Sequence, residues 1–261
     1  MQLTCSTSVC PDLLLPQALD FVKQAGFDSI ELFRARTESS PAHPDLTVPL
    51  VRQHLHEAGI RLTGLNIRNL TGRKADSDER NLDYNLYQVE WGIHLARALG
   101  LKSANLNGGA RTDEAQEDLI NGMNQLLERV PDVILNLGSQ MGNRLQGLED
   151  FTAVLPHLNQ RAKMLLDTGH LLEAGEDVME CARAFAERIG LVHLRDQQGE
   201  KPVPFGRGDL PCEELLRLLH GAGYDGYLVI ALEQVDGDEA LSAAVAAREY
   251  IEALLRSITP D

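Results

Sequence analysis

Met164-Leu165-Leu166-Asp167-Thr168-Gly169-His170 is an apolar run that ends in an acid, with a histidine three residues beyond it. Further along, Leu191-Val192-His193-Leu194-Arg195-Asp196 has the same form, apolar at first and charged at its end. Short apolar runs bounded by turn residues read as strands buried on both faces of a parallel sheet. Working outward from these two, near 162–167 and 190–195, similar runs lie near 2–5, 28–33, 60–66, 102–107, 132–138 and 227–233. Helical patterns fill the intervals near 12–26, 46–58, 82–100, 113–130, 147–157, 172–188, 211–222 and 237–256. Gly26, Gly59, Gly100 and Gly223 each stand where a helix ends and a strand opens, the position of a left-handed cap.

Eight βα units with no linker predict an α/β fold, one (β/α)8 barrel domain over residues 1–261. The rival, an open doubly wound sheet, usually carries a glycine-rich nucleotide loop after its first strand. That position reads Cys5-Ser6-Thr7-Ser8-Val9-Cys10, and neither GxGxxG nor a P-loop occurs, so no nucleotide cofactor is expected. The longest irregular stretches, 34–45, 67–81 and 196–210, follow the second, third and seventh strands. In a barrel these loops lie at the C-terminal mouth, where active sites are built.

The composition narrows the partners. A net charge of -15 opposes binding to phosphate backbones and anionic lipids, so neither nucleic acid nor membrane is expected. A local basic pocket on an acidic protein still admits an anionic small molecule. Cys5, Cys10, Cys181 and Cys212 form no CxxC pair and suggest reduced thiols. The start, Met1-Gln2-Leu3-Thr4, lacks a signal pattern, and no apolar run nears the ~20 residues that cross a bilayer. A cytoplasmic location is expected. The C-terminal helix pattern has the ordinary face of an outer barrel helix and is compatible with an oligomer without indicating one.

Asp167, His170, His193 and Arg195 converge on one rim of such a barrel, and strand eight adds Glu233. Histidine titrates ordinarily near neutral pH and suits acid–base work. Arginine suits a carboxylate or a developing oxyanion. Asn66, Asn105, Asn107 and Asn136 fall near the ends of strands three to five. Asparagine is disfavoured in strands unless its amide finds partners, so several at one mouth suggest either a polyhydroxylated ligand or loop backbone. Gly206 and Gly208 read as turn residues permitting positive φ. No GxSxG elbow or activated thiolate is visible.

Leu166-Asp167-Thr168-Gly169-His170, Val192-His193-Leu194-Arg195-Asp196, Gly206-Arg207-Gly208-Asp209, Gly223-Tyr224-Asp225-Gly226-Tyr227 and Gly26-Phe27-Asp28-Ser29-Ile30-Glu31-Leu32 together resemble the xylose isomerase-like TIM barrel family. That group comprises sugar epimerases, ketose isomerases, inosose dehydratases and endonuclease IV-like proteins. The resemblance implies a metal held by a Glu ending strand five, an Asp ending strand six, a His on strand seven and a Glu on strand eight. It further implies that the two glutamates move protons on either side of an enediolate. Asp167 and His193 match the middle two ligands. Gly138 and Ala231 stand at the outer two, and neither side chain ligates a cation or moves a proton.

The sequence therefore predicts a sugar or polyol isomerase/epimerase-like enzyme with an altered or absent metal site. Proton transfer next to a carbonyl is the expected chemistry. An inosose-type dehydratase (lyase) and a catalytically silent barrel binding a carbohydrate or a protein are the alternatives. His170, Glu233 and Arg195 are the expected catalytic groups. Asp167 and His193 are the remaining candidate ligands for one divalent metal, manganese, zinc or magnesium. Glu31, Asn66, Asn107 and Asn136 are the expected substrate contacts. Glu233 lies two residues past Ala231, displaced by ~6.6 Å along an extended chain, so it reaches the rim as a base rather than as a conventional ligand.

Overall fold

Every apolar run becomes a strand. The computed structural model describes residues 1–71, 82–112, 114–233, 235 and 237–258. Its strands are β1 (Gln2–Ser6), β2 (Ser29–Phe33), β3 (Arg61–Asn69), β4 (Ser103–Asn107), β5 (Ile134–Gly138), β6 (Ala162–Asp167), β7 (Ile189–Leu194), β8 (Asp196–Gln198), β9 (Lys201–Val203) and β10 (Tyr227–Ile230). Eight of them close a parallel barrel in the order β1-β10-β7-β6-β5-β4-β3-β2, and β8 and β9 form a separate antiparallel hairpin. The helices are α1 (Leu15–Gln24), α2 (Val48–Ala58), α3 (Leu82–Ala98), α4 (Ala115–Arg129), α5 (Leu148–Val154), α6 (Thr168–Glu173), α7 (Val178–Ala184), α8 (Cys212–Gly221) and α9 (Ala240–Ile258). None in the described residues is long and apolar enough to cross a membrane. The four cysteines are free and buried.

The anticipated helix ends are present. Gly26, Gly59, Gly100 and Gly223 all hold φ between +68° and +91°. At the start of α2, Thr47 caps by accepting from Leu50 N. Three boundaries differ from the sequence reading for identifiable reasons. The single helix expected over 172–188 is two, because Asp167 caps α6 immediately after β6, Gly175 turns the chain at φ +73°, and Asp177 caps α7 by accepting from Met179 N and Glu180 N. The eighth barrel strand stops at Ile230 rather than 233, although Ala231 N still donates to Leu194 O. β3 runs on to Asn69, so the 67–81 loop begins later than expected; its residues 72–81 lie outside the described ones.

Side-chain alternation sorts the barrel into layers. Leu165, Leu191 and Val229 form a small apolar cluster with Tyr227, separate from the large core between sheet and helices. Two residues further along the same strand faces come Asp167, His193 and Ala231. An apolar plug thus lies below a polar upper layer. Parallel register then sets neighbours: Asp167 pairs with His193, Asn66 with Asn105, Asn105 with Asn136, and Asn107 with Gly138.

The loop after β9 is tied down by one carboxylate. Asp196 is fully buried and accepts from the backbone N–H groups of Gly206, Gly208 and Leu210. Gly206 has φ +78°, as expected of a turn glycine. Gly208 does not; it is required by close approach, since a Cβ there would stand 2.3 Å from Asp196 Oδ1 and from Gln197 O. Hydrogen bonds to a charged group contribute about 1.5–3 kcal/mol, and leaving buried donors unpaired costs a comparable amount. Asp196→Ala is expected to destabilise the protein by about 2–4 kcal/mol in urea unfolding. Gly208→Ala is expected to destabilise it as well, whereas Gly221→Ala, where a Cβ meets nothing within 4 Å, is expected to stay near wild type.

Candidate active site

His193 lies at the centre of the upper barrel layer with both ring nitrogens engaged. Nε2 is 3.1 Å from Glu31 Oε1 and 3.0 Å from Oε2, and Nδ1 is 3.3 Å from Asp167 Oδ2. Contacts to carboxylates at both nitrogens require the doubly protonated, cationic ring. Burial by itself would lower the pKa of His193, but the charge of Glu31 and hydrogen bonds to Asp167 and Glu31 outweigh it and push the value up to about 10. Burial would raise Asp167; the charges of His170 and His193, a hydrogen bond from His193, and Arg195 reverse this and hold its carboxyl well below the usual range. Asp167 also accepts from His170 N through Oδ1, so one side chain caps α6 and pairs with His193.

Amides extend this network across the barrel. Asn105 Nδ2 donates to Glu31 Oε1 at 2.8 Å, and Asn136 Nδ2 donates to Asn105 Oδ1 at 2.8 Å. Glu31 and Asn136 are buried in this network, although Asn136 Oδ1 accepts no hydrogen bond among the described residues. They support the mouth from below. Asn66 and Asn107 do line an open cavity of about 310 Å³ above β2 to β5, together with Asn105, Arg36, Gln140 and Asn143. Asn66 Nδ2 is buried and has no hydrogen-bond partner among the described residues, a donor left for a ligand.

A second cluster stands beside the first. Arg195 NH1 donates to Glu233 Oε2 at 2.6 Å, and its NH2 lies 3.4 Å from His170 Nδ1 and 4.0 Å from Glu173 Oε2. His170 Nδ1 is also 3.1 Å from Glu173 Oε2. Arg195 is buried, while the Glu233 side chain is 34% exposed and that of His170 15%. Thr168 fixes the approach of β7 and α6, donating to Arg195 O and accepting from Arg195 N. Gly169 is required here because a Cβ would stand 2.0 Å from Arg195 Nε. His170, Arg195 and Glu233 are therefore brought together as the sequence anticipated. Glu173, Arg36, Gln140 and Asn143 were not anticipated. Glu173 falls on the same helical face as His170, an i, i+3 relation visible only once α6 is placed. Arg36 enters the cavity lining from a backbone at φ +85°, which nothing in the local sequence signals.

A family model described as xylose isomerase-like TIM barrel matches residues 19–256. The chain belongs to that family. A putative hydroxypyruvate isomerase of Streptomyces coelicolor is 29% identical over 244 residues, covering 82% of this chain and 83% of the relative. An inosose dehydratase of Clostridium perfringens is 29% identical over 164 residues, 54% of this chain and 55% of its own length. Among solved structures, an IOLI protein described as having a bound zinc atom superposes with a TM-score of 0.79 at 15% identity, covering all of both chains.

In this member of the xylose isomerase-like family the residues present do not fit a divalent cation. Gly138 and Ala231 supply no donor, and a Cβ at Gly138 would stand 2.5 Å from Asn107 Oδ1, so an amide fills the space of a fifth-strand side chain. A metal-bound imidazole must offer a lone pair, yet both nitrogens of His193 face carboxylates. Among the described residues no three His, Cys, Asp or Glu side chains are grouped to hold a metal ion.

The clamp has a stability signature. His193 has a raised folded pKa, so its contribution is full below the unfolded value of roughly 6.5 and is lost as pH rises towards about 10. Asp167 has a lowered one, so its contribution is full above roughly 4 and is lost in acid. Wild-type stability in urea should form a plateau between roughly pH 4 and 6.5 and decline on both sides. Glu31→Gln should flatten the alkaline decline; an unchanged alkaline limb would show that His193 is not held as an imidazolium.

Proposed function

We propose that this protein is an enzyme acting on a sugar, polyol or related hydroxy-carbonyl compound by moving a proton next to the carbonyl, without a metal. The observation that carries the reading is the Arg195, Glu233, His170 and Glu173 cluster. It joins a buried guanidinium to two partly exposed groups able to take and return a proton.

In this reading the carbonyl oxygen points at Arg195, and the hydroxyls meet the amides of Asn66 and Asn107. Glu233 removes the proton from the carbon beside the carbonyl. The C–H electron pair becomes the enediolate double bond, and the negative charge gathers on the oxygen facing Arg195. His170 is oriented through Nδ1 by Glu173, and its Nε2 has no protein partner among the described residues. It exchanges a proton with the enediolate oxygen or returns one to carbon. Return to the neighbouring carbon isomerises the substrate, return to the opposite face epimerises it, and loss of a β-hydroxyl dehydrates it. The similarity to a putative hydroxypyruvate isomerase and to an inosose dehydratase supports this substrate class. Asp167 and His193 hold the charge pattern beneath the reacting atoms.

Absence of carboxylates at Gly138 and Ala231 favours a second reading, a silent barrel that binds a carbohydrate. The two readings separate in deuterium oxide. Incubation with hydroxypyruvate, inososes and a panel of ketoses should incorporate solvent deuterium beside the carbonyl of at least one compound. Glu233→Gln and His170→Ala should each slow that exchange roughly 100- to 10,000-fold. No exchange with any compound would favour the silent reading.

Purified without chelator, the protein is expected to hold no stoichiometric manganese, zinc or magnesium by plasma mass spectrometry, and its exchange activity to survive EDTA. One metal per chain, lost in His193→Ala, would overturn the metal-free mechanism.

A further inference from the structure

A larger cavity opens beside Arg195. It has a volume of about 820 Å³ and lies between the chain following β9 and the outer helix α9. Arg195 and Glu233 form its polar end, and the remaining walls are mostly apolar: Pro204, Phe205, Leu232, Val235, Ala246 and Tyr250. The proton-transfer reading uses that polar end and assigns no role to the apolar remainder. Its volume lies in the range of pockets that enclose drug-sized ligands, and its lining has their usual character, apolar with a few converging polar groups.

Phe205 and Tyr250 stack with ring centroids 6.0 Å apart and planes inclined by 16°. Proline fixes the backbone beside Phe205. On α9, which also carries Tyr250, Ala243, Ala246 and Ala247 share the same face, and their methyls leave room that larger side chains would fill. The loop that carries Phe205 is tied to the barrel, because Asp196 accepts from the N–H groups of both Gly206 and Gly208. Such a preformed slot pays little ordering cost when an aromatic ring enters.

We infer that the substrate carries an aromatic group, which seats against Phe205, Tyr250 and the alanine methyls of α9 while its hydroxy-carbonyl end meets Arg195 and Glu233. This deepens the proposed function and rests on Arg195 and Glu233 meeting the substrate. The substrate class becomes an aryl-substituted hydroxy-carbonyl compound rather than a free sugar.

The test uses two ligands that differ only in phenyl against methyl, 2-hydroxyacetophenone and hydroxyacetone, titrated calorimetrically into the full-length protein. Wild type should bind the phenyl compound at least about 10-fold more tightly, since burial of the ring adds apolar area removed from water. Ala246→Phe, which fills the slot, should abolish that preference with thermal unfolding unchanged; Ala243→Phe serves as the second variant if the first fails to fold. Equal affinity, binding of neither ligand, or a preference that survives both fillings would overturn the inference. Preference retained without any proton exchange would leave the aromatic slot standing and instead defeat the catalytic reading.

Discussion

His193 sits between Glu31 on one side of the barrel and Asp167 on the adjacent strand, and its charge organises the layer around it. Two carboxylates buried this deeply would be costly without a cation, and an imidazolium supplies one through directed hydrogen bonds. The same contacts explain the remaining polar layer. Glu31 accepts from Asn105, Asn105 accepts from Asn136, and Asp167 caps the helix that carries His170. Removing one partner would leave a buried charge unpaired, so the arrangement acts as a unit.

The glycine at 138 is coupled to this network rather than independent of it. Asn107 donates to Gln140 and its carbonyl oxygen borders Gly138, so a side chain at 138 and the present position of Asn107 exclude one another. Steric exclusion and the occupied nitrogens of His193 act in the same direction. Both turn the upper layer from cation coordination towards internal ion pairing. The proposed proton transfer falls accordingly to the neighbouring, more open groups around Arg195.

The barrel was legible in the sequence because periodicity and glycine caps are local signals. Eight apolar runs matched eight strands, and Asp167 and His193 met because parallel register places them side by side. What stayed hidden depends on long-range geometry. Glu31 and Asn136 read as substrate contacts; their bonds to His193 and Asn105 are set by strand register across the barrel, which the sequence does not display. Gly208 read as a positive-φ turn but is fixed by the approach of Asp196. The early start of α6 depended on Asp167 serving as a cap, a role the same residue type shares with ligand and acid. The slot beside Arg195 joins residues from 195 to 250 and has no sequence signature at all.

The central claim is that a protonated His193, clamped by two carboxylates, holds the place of a cation in this barrel. Nitrogen-15 NMR of ring-labelled histidine, assigned with His193→Gln, tests it most directly. The account predicts that Nδ1 and Nε2 of His193 both carry protons at pH 7.5, unchanged by added zinc or magnesium. A neutral ring with one unprotonated nitrogen, shifted on metal addition, would contradict it.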